Sequence, residues 1–347
     1  MAKAPGDARM APPRVRGAVC EINALPNDVL LRAVSRLDAR QLVQTCVLSR
    51  RWRDLWRSVP RINASRHEFD GMAGTDVERD VLFKKFVNRF LMLRNPVALD
   101  EFRLWYHVPD DYRRDPRADS EDANLWIRHA LQCNARSVKL SCVFVIPGFF
   151  RSLQKGCTVL ERLILRDSTI ADPEISSQTL KVLIIDSGCH CTFDGRASIS
   201  IPSLIDLHFR AHARIPLLKN MESLVTVAFG TSDDEDEFAV LPQFNNLATL
   251  TLRKWCLHPD FNPLIVFLQT SSNLVQLTLD LRQPTFTNQR LIGEREERSF
   301  TCEHLEIVKI VCSELDGPED DTVLDSLKKL LNENGVTSDK IHILDRI

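Results

Sequence analysis

Cys189, His190 and Cys191 occupy consecutive positions, and their side chains invite a metal. A structural zinc site takes four ligands, usually supplied as two separated pairs. No second Cys or His pair lies near in sequence, and Cys157 is not placed to complete one. The tripeptide therefore reads as a turn after a strand ending at Asp186. Thiol–imidazole catalysis needs a base placed beside the thiol in space. The nine histidines are dispersed, so chance pairs with cysteine carry no assignment. The acidic run Asp233 to Glu237 lacks the spacing and central glycine of a calcium loop and reads as a solvated segment. There is no Gly-x-Ser-x-Gly elbow, no Walker-type loop and no Gly-x-Gly-x-x-Gly turn. With 12 glycines in 347 residues the chain is poorly supplied for phosphate-cradling loops. No catalytic residue, metal or cofactor is assigned, and the chain is not read as an enzyme.

Composition points the same way, toward binding. Lys and Arg total 45, Asp and Glu 47, a net charge of −2. A dedicated nucleic-acid binder would be strongly basic. No apolar run has the length of a membrane span, and Met1 to Cys20 shows no signal-peptide core. That stretch, rich in Pro, Ala and Arg, reads as a disordered basic tail. The ten cysteines are scattered and mostly in apolar surroundings, as buried free thiols in a reducing cell would be. The expectation is an intracellular protein, nuclear or cytoplasmic, with neither a membrane nor a nucleic acid as partner.

Three short helices are expected between residues 21 and 60. Pro26 stands at a helix start, and Leu30, Val34 and Leu37 follow on one face. Asp38 precedes Gln41 at capping-box spacing. Ser49 is placed to cap a third helix carrying Trp52, Leu55 and Trp56 on one face, with Pro60 ending it. A core this small is marginal alone. Such a domain has no room to hide two indoles, so Trp52 and Trp56 are expected at an interface.

The string INALPNDVLLRAVSRLDARQLVQTCVLSRRWRDLWRSVPRI resembles an F-box of the plant type. Leu25, Pro26, Asp28, Val29, Leu30, Leu48, Ser49, Arg50, Arg51, Trp52, Arg53, Leu55 and Trp56 match that family's pattern. Ala33-Val34 departs from its more usual Ile-Leu. Residues 61–96 read as a linker with one helix, on which Phe83, Phe86, Val87, Phe90 and Leu91 are spaced as an apolar stripe. A second helix is expected from about Ser120 to Gln132, after a charged loop from Asp110.

From about residue 97 to 347 a Leu-x-x-Leu-x-Leu unit recurs. Clear copies begin at Leu160, Leu180, Leu204, Leu224, Leu247, Leu274 and Leu305, with weaker ones at Leu99 and Ala135. The intervals mostly fit leucine-rich repeats of 20–29 residues, without a regular Asn or Cys after each strand. One strand cannot bury its anchors alone, so the copies must stack. Return helices are expected over Pro263 to Thr270 and Thr322 to Asn334, with Gly335 as a stop, and a last strand over Ile341 to Leu344. The expected fold is thus α/β: a leucine-rich-repeat solenoid with a parallel sheet, preceded by the small three-helix F-box. The resemblance to plant F-box/leucine-rich-repeat proteins extends loosely through these repeats.

The resemblance implies the substrate-recognition subunit of an SCF-type cullin ubiquitin ligase. Its F-box would dock on a Skp-type adaptor, and through it on cullin, while the repeats bind an unknown target protein. The adaptor surface carried over from the family is Leu25, Pro26, Val29, Leu30, Leu48, Trp52, Leu55 and Trp56. The strand register places Arg103, Trp105, Arg162, Arg166, His208, Arg210 and Arg253 on the outward face as target-binding candidates. Cations exceed acids there, which implies an acidic or phosphorylated target segment; the alternative is a mixed, solvated face. The alternative function is a repeat-type binding scaffold with no ligase role.

Overall fold

The computed structural model describes residues 21–106, 116–141, 144–145, 148–186, 188–193, 195–211, 214–230, 241–257, 261–281, 299–300, 302–312 and 318–345. The N-terminal tail, the acidic run Asp233 to Glu237, Cys20, Cys142 and most of the charged loop after Asp110 lie outside these residues.

One parallel sheet organises the chain. Its eleven strands are Arg61–Ser65 (β1), Glu101–Trp105 (β2), Ser137–Ser141 (β3), Arg162–Arg166 (β4), Val182–Ile185 (β5), Asp206–Phe209 (β6), Thr226–Phe229 (β7), Thr249–Arg253 (β8), Gln276–Asp280 (β9), Ile307–Cys312 (β10) and Ile341–Asp345 (β11). They lie side by side in chain order. The register aligns the second repeat anchors: Leu163 pairs with Leu183, Leu183 with Leu207, Leu207 with Val227, Val227 with Leu250, Leu250 with Leu277, and Leu277 with Val308. These anchors are fully buried, and their neighbours on each strand alternate outward. Burying each one contributes about 1.5–3 kcal/mol relative to an exposed side chain.

The sheet begins earlier than the sequence indicates. Arg61–Ser65, read above as connection, is its first strand, paired in register with β2. Only Ile62 and Ala64 mark its inward face, too few apolar residues for alternation to stand out from the polar surroundings. The returns between strands also differ with length. Where successive copies are close in sequence, the chain returns through Glu174–Ser176, Ser198–Ser200 and Leu217–Lys219, which pair into a small sheet of their own. A strand advances about 3.3 Å per residue and a helix 1.5 Å, so a short return spans the layer only when extended. Longer returns carry helices. The helices in chain order are Asn27–Val34 (α1), Ala39–Gln44 (α2), Asp76–Leu93 (α3), Pro116–Gln132 (α4), Phe149–Gly156 (α5), Asn262–Gln269 (α6) and Pro318–Glu333 (α7). Gly335, with φ of +85°, lies just beyond α7, in the left-handed geometry glycine adopts without penalty.

Polar side chains tie the turns together. Thr179 Oγ1 donates to the carbonyl of Leu160 (2.8 Å) and Ser203 Oγ to that of Leu180 (2.8 Å). Asn246 Nδ2 donates to the carbonyl of Glu222 and Asn273 Nδ2 to that of Asn245, each at 2.6 Å. Each donor immediately precedes an anchor leucine and reaches one turn back. Each bond satisfies a carbonyl in the preceding turn of the stack.

At the N-terminal end the core is aromatic. Trp56 lies 5.2 Å from Phe90 on α3. Phe83 joins Phe69, Tyr106 and Trp126, with ring centroids 5.5–5.7 Å apart. The Trp126 Nε1–H donates to Asn88 Oδ1 at 2.6 Å, which satisfies the indole's one polar group. Thr75 and Glu78 form a capping box that starts α3. The buried Arg94 that ends α3 donates to the carbonyl of Val59 at 2.9 Å.

Candidate functional site

Two surfaces hold the residues singled out from the sequence. The first lies on the helical head. Residues following α2 continue as short 3-10 turns, Thr45–Val47 and Leu55–Ser58, so the expected third helix is not an α-helix. Asp38 sits at the N-cap of α2 without a side-chain cap bond, because its carboxylate accepts instead from Asn63 Nδ2 on β1. Glu68 takes over the capping: its carboxylate accepts the backbone N–H of Arg40 (3.4 Å) and of Gln41 (3.3 Å). Burial raises its pKa above the usual carboxylate range, and these backbone donors oppose that shift only in part. The head is therefore built against the sheet from the start.

This packing decides which of the eight expected adaptor residues reach the surface. Leu30, Trp52, Leu55 and Trp56 are at most 9% exposed and belong to the core. The expectation that two indoles could not be hidden omitted the cover supplied by β1 and α3. Leu25, Pro26, Val29 and Leu48 are exposed, and Leu48 is 64% exposed. Beside them stand Ile22 and Val47, absent from the expected set, with Val47 at 83%. The signal for Val47 is its place in the apolar run Cys46-Val47-Leu48 after α2, just where the helix stops hiding its apolar face. Arg51 pins the two parts of this ridge together. Its guanidinium donates to Asn27 Oδ1 at 2.6 and 3.0 Å and to the carbonyl of Leu25.

The second surface is the outward face of the sheet. Arg103, Trp105, His208, Arg210 and Arg253 are partly exposed there, Arg162 and Arg166 more fully. They do not form one site. Glu101 lies between Arg103 (3.0 Å) and Lys139 (3.1 Å). Burial opposes its charge, but those two cations outweigh it and hold the Glu101 carboxyl below the usual range. Asp186 lies between Arg166 (3.5 Å) and Arg210 (3.9 Å), and His208 meets Asp206 at 3.1 Å. The Arg253 side chain lies where a Cβ on Gly230 would fall. Beyond β6 the outward positions alternate threonines, Thr226, Thr249, Thr251 and Thr278, with the charged Arg253, Asp280 and Lys309. A pocket of about 250 Å³ opens on β2, β3 and β4, lined by Arg103, Trp105, Lys139, Ser141, Ile164 and Arg166.

The cysteine motif is structural. His190–Cys191 is a two-residue strand paired with Thr169–Ile170, rather than a turn. Burial pushes the Cys189 thiol up to about 12 and that of Cys191 to about 11. Gly188 before them, with φ of +80°, faces Asp167 so closely that a Cβ would strike its carboxylate. His129 Nε2 and Cys133 Sγ meet at 3.6 Å across one turn of α4. Burial, and then Arg94, lower the pKa of His129. Among the described residues no group of three or more Cys, His, Asp or Glu gathers as metal ligands, and no helix is long and apolar enough to cross a membrane.

Comparison with known proteins identifies residues 22–63 as an F-box domain. The chain is similar to a putative FBD-associated F-box protein of Arabidopsis thaliana, 26% identical over 240 residues, 60% of this chain and 55% of that protein. It is 34% identical to the Arabidopsis F-box/LRR-repeat protein 13 over 170 residues, 47% of this chain and 34% of that protein. A putative Arabidopsis F-box/FBD/LRR-repeat protein is 28% identical over 171 residues, 48% of this chain and 33% of that protein. The chain thus spans about half the length of the first relative and a third of the others. The chain carries an F-box domain at residues 22–63, followed by a parallel sheet, and over part of its length it is similar to these plant F-box proteins.

Proposed function

We propose that this chain is the substrate-recognition subunit of an SCF-type cullin ubiquitin ligase. The F-box docks on a Skp-type adaptor, and the sheet, as a leucine-rich-repeat stack, holds a protein target on its outward face. The chain itself performs no chemistry; it brings the target to the ligase's other subunits. The repeat reading is supported by the alignment of anchors strand by strand, and it extends the stack back to Arg61.

The observation that carries the docking reading is the exposed ridge of Leu25, Pro26, Val29, Val47 and Leu48 inside the F-box match. Exposed apolar side chains on a head whose Leu30, Leu42, Trp52, Leu55 and Trp56 are buried mark an interaction surface. The test is pull-down of a purified Skp-type adaptor. Val47→Asp with Leu48→Asp should abolish binding and leave the thermal midpoint unchanged. Truncating one central anchor costs about 2 kcal/mol, roughly thirtyfold in Kd, and a buried carboxylate costs more. Trp52→Ala is the wrong probe, because it opens a core cavity. Undiminished adaptor binding by the double variant would overturn the assignment and leave the scaffold reading.

A further inference from the structure

We propose that Cys133 is a modification site, a thiol that hydrogen peroxide converts to the sulfenic acid, with His129 taking the thiol proton and Arg94 facing the anionic sulfur. This goes beyond the docking and target-binding readings and rests on neither.

Geometry is the first argument. His129 stands on the last turn of α4 and Cys133 just beyond its end, where the Cys133 N–H donates to the carbonyl of His129 at 3.0 Å. That turn brings Cys133 Sγ within 3.6 Å of His129 Nε2. A base beside the thiol in space is what nucleophilic sulfur chemistry needs. Arg94 reaches the same place from the end of α3. The thiol and the imidazole are both partly exposed, so a small oxidant can meet them from water.

The guanidinium of Arg94 is the second argument. Arg94 is 8% exposed, and its Nη2 donates to the Val59 carbonyl. Its Nε and Nη1 are buried with no hydrogen-bond partner among the described residues. Buried charged donors without acceptors are costly, and an anion at Cys133 supplies what they lack. Burial lowers the pKa of Arg94, and Cys133 beside it opposes that shift. Burial, and then Arg94, lower the pKa of His129, so its imidazole is neutral at pH 7. In the tautomer protonated on Nδ1, its Nε2 is open to the thiol proton. Four other thiols are placed differently. Burial pushes Cys189 up to about 12, Cys191 and Cys302 to about 11, and raises Cys256 as well. Thiols held protonated by apolar burial are inert.

In the reaction, His129 Nε2 takes the thiol proton and a sulfur lone pair attacks one peroxide oxygen. The S–O bond forms as the O–O bond breaks. The leaving hydroxide takes the proton from His129 and departs as water. Sulfur is oxidised by two electrons and the peroxide is reduced by the same two. The sulfenyl oxygen is then an acceptor for the unpaired donors of Arg94.

The test uses the full chain, reduced, freed of reductant and treated with hydrogen peroxide in the presence of dimedone, which captures sulfenic acids. Labelled peptides are quantified over time by mass spectrometry. Cys46 is the internal comparison, because it is also partly exposed. Cys133 should be captured at least about tenfold faster than Cys46, short of the ~10²–10⁴ that general-base assistance supplies in enzymes. His129→Gln should slow Cys133 by a similar factor and leave the Cys46 rate and the thermal midpoint unchanged. Arg94→Gln should slow Cys133 too, and Arg94→Lys, which keeps the charge, should slow it less. His129 is the deciding position, since Arg94 also holds Val59 and its loss can unfold the junction. Capture of Cys133 no faster than of Cys46, or a Cys133 rate that His129→Gln leaves unchanged, overturns the proposal. Capture of neither thiol overturns it as well.

Discussion

Truncating Trp56 asks whether the F-box and the sheet are one body. The indole is 7% exposed and its ring lies 5.2 Å from Phe90, which belongs to α3 rather than to the F-box. Trp56→Ala should cost about 3–5 kcal/mol, the usual range for emptying a buried aromatic site. Of that, about 0.5–1.5 kcal/mol is the ring–ring contact itself. The junction has no slack to absorb the loss. Asp100 N–H donates to the carbonyl of Pro60 at 2.7 Å, Asn95 N–H to that of Arg57 at 2.8 Å, and Arg94 to that of Val59. Strain at Trp56 therefore passes into β1 and β2. At about 2 °C per kcal/mol for a chain of this size, one cooperative transition should fall by roughly 6–10 °C. Thermal unfolding followed by circular dichroism gives the midpoint, and peptide-resolved hydrogen exchange gives the location. Amides of α1, α2, β1 and β2 should all exchange faster together. Faster exchange confined to residues 22–58, with the sheet's protection and the midpoint unchanged, would show that the head is an independent unit and refute the reasoning.

Two further outcomes follow from the sheet. Leu250 is fully buried and pairs with Val227 and Leu277, so Leu250→Ala should cost about 2–5 kcal/mol and loosen both neighbours; limited proteolysis as slow as the wild type's would refute the register. Glu101 has a lowered pKa in the folded state, so it stabilises the fold above the ordinary carboxylate range, and that contribution fades as pH falls through the lowered value. Denaturant titrations should find Glu101→Gln less stable than the wild type at neutral pH, with the difference closing on acidification; a constant difference would mean that Lys139 and Arg103 do not hold the charge.

The stack was legible because its signal is repeated. Seven clear copies of one anchor spacing put Leu163, Leu183, Leu207, Leu250 and Leu277 in equivalent positions, and the register pairs each with the anchor of the neighbouring copy. Helices α6 and α7 were found by apolar stripes and a stop glycine. β1 was missed because two anchors in Arg-Ile-Asn-Ala-Ser make too short a pattern. The strand returns at Glu174–Ser176 and Ser198–Ser200 were missed because three residues have no readable period. The hydrogen-bond ladder was visible in principle, as a polar residue before successive anchor leucines, but a single Thr, Ser or Asn before Leu is common anywhere. On the F-box, apolarity at Leu25 and at Trp56 looks identical in sequence. What separates them is the cover given by α3 and β1, elements some distance along the chain. Pairing along the outward face was equally hidden: the charges could be assigned to a face, but Glu101 between Arg103 and Lys139 follows only from which strands are neighbours.

That junction bears on how the proposed function would work. The last 3-10 turn of the head ends at Ser58 and β1 begins at Arg61, leaving two residues between them. Both are engaged, Val59 by Arg94 and Pro60 by the amide of Asp100. The apolar ridge at Val47 and Leu48 and the cationic pocket on β2 to β4 are thus carried by one packed core rather than joined by a tether. A flexible tether would let a bound target sweep a wide volume and would lower its effective concentration at any one point. A rigid junction fixes the direction in which a target leaves the face relative to a partner on the ridge. In such an assembly, selectivity for the site modified would come from where the target seats on the sheet.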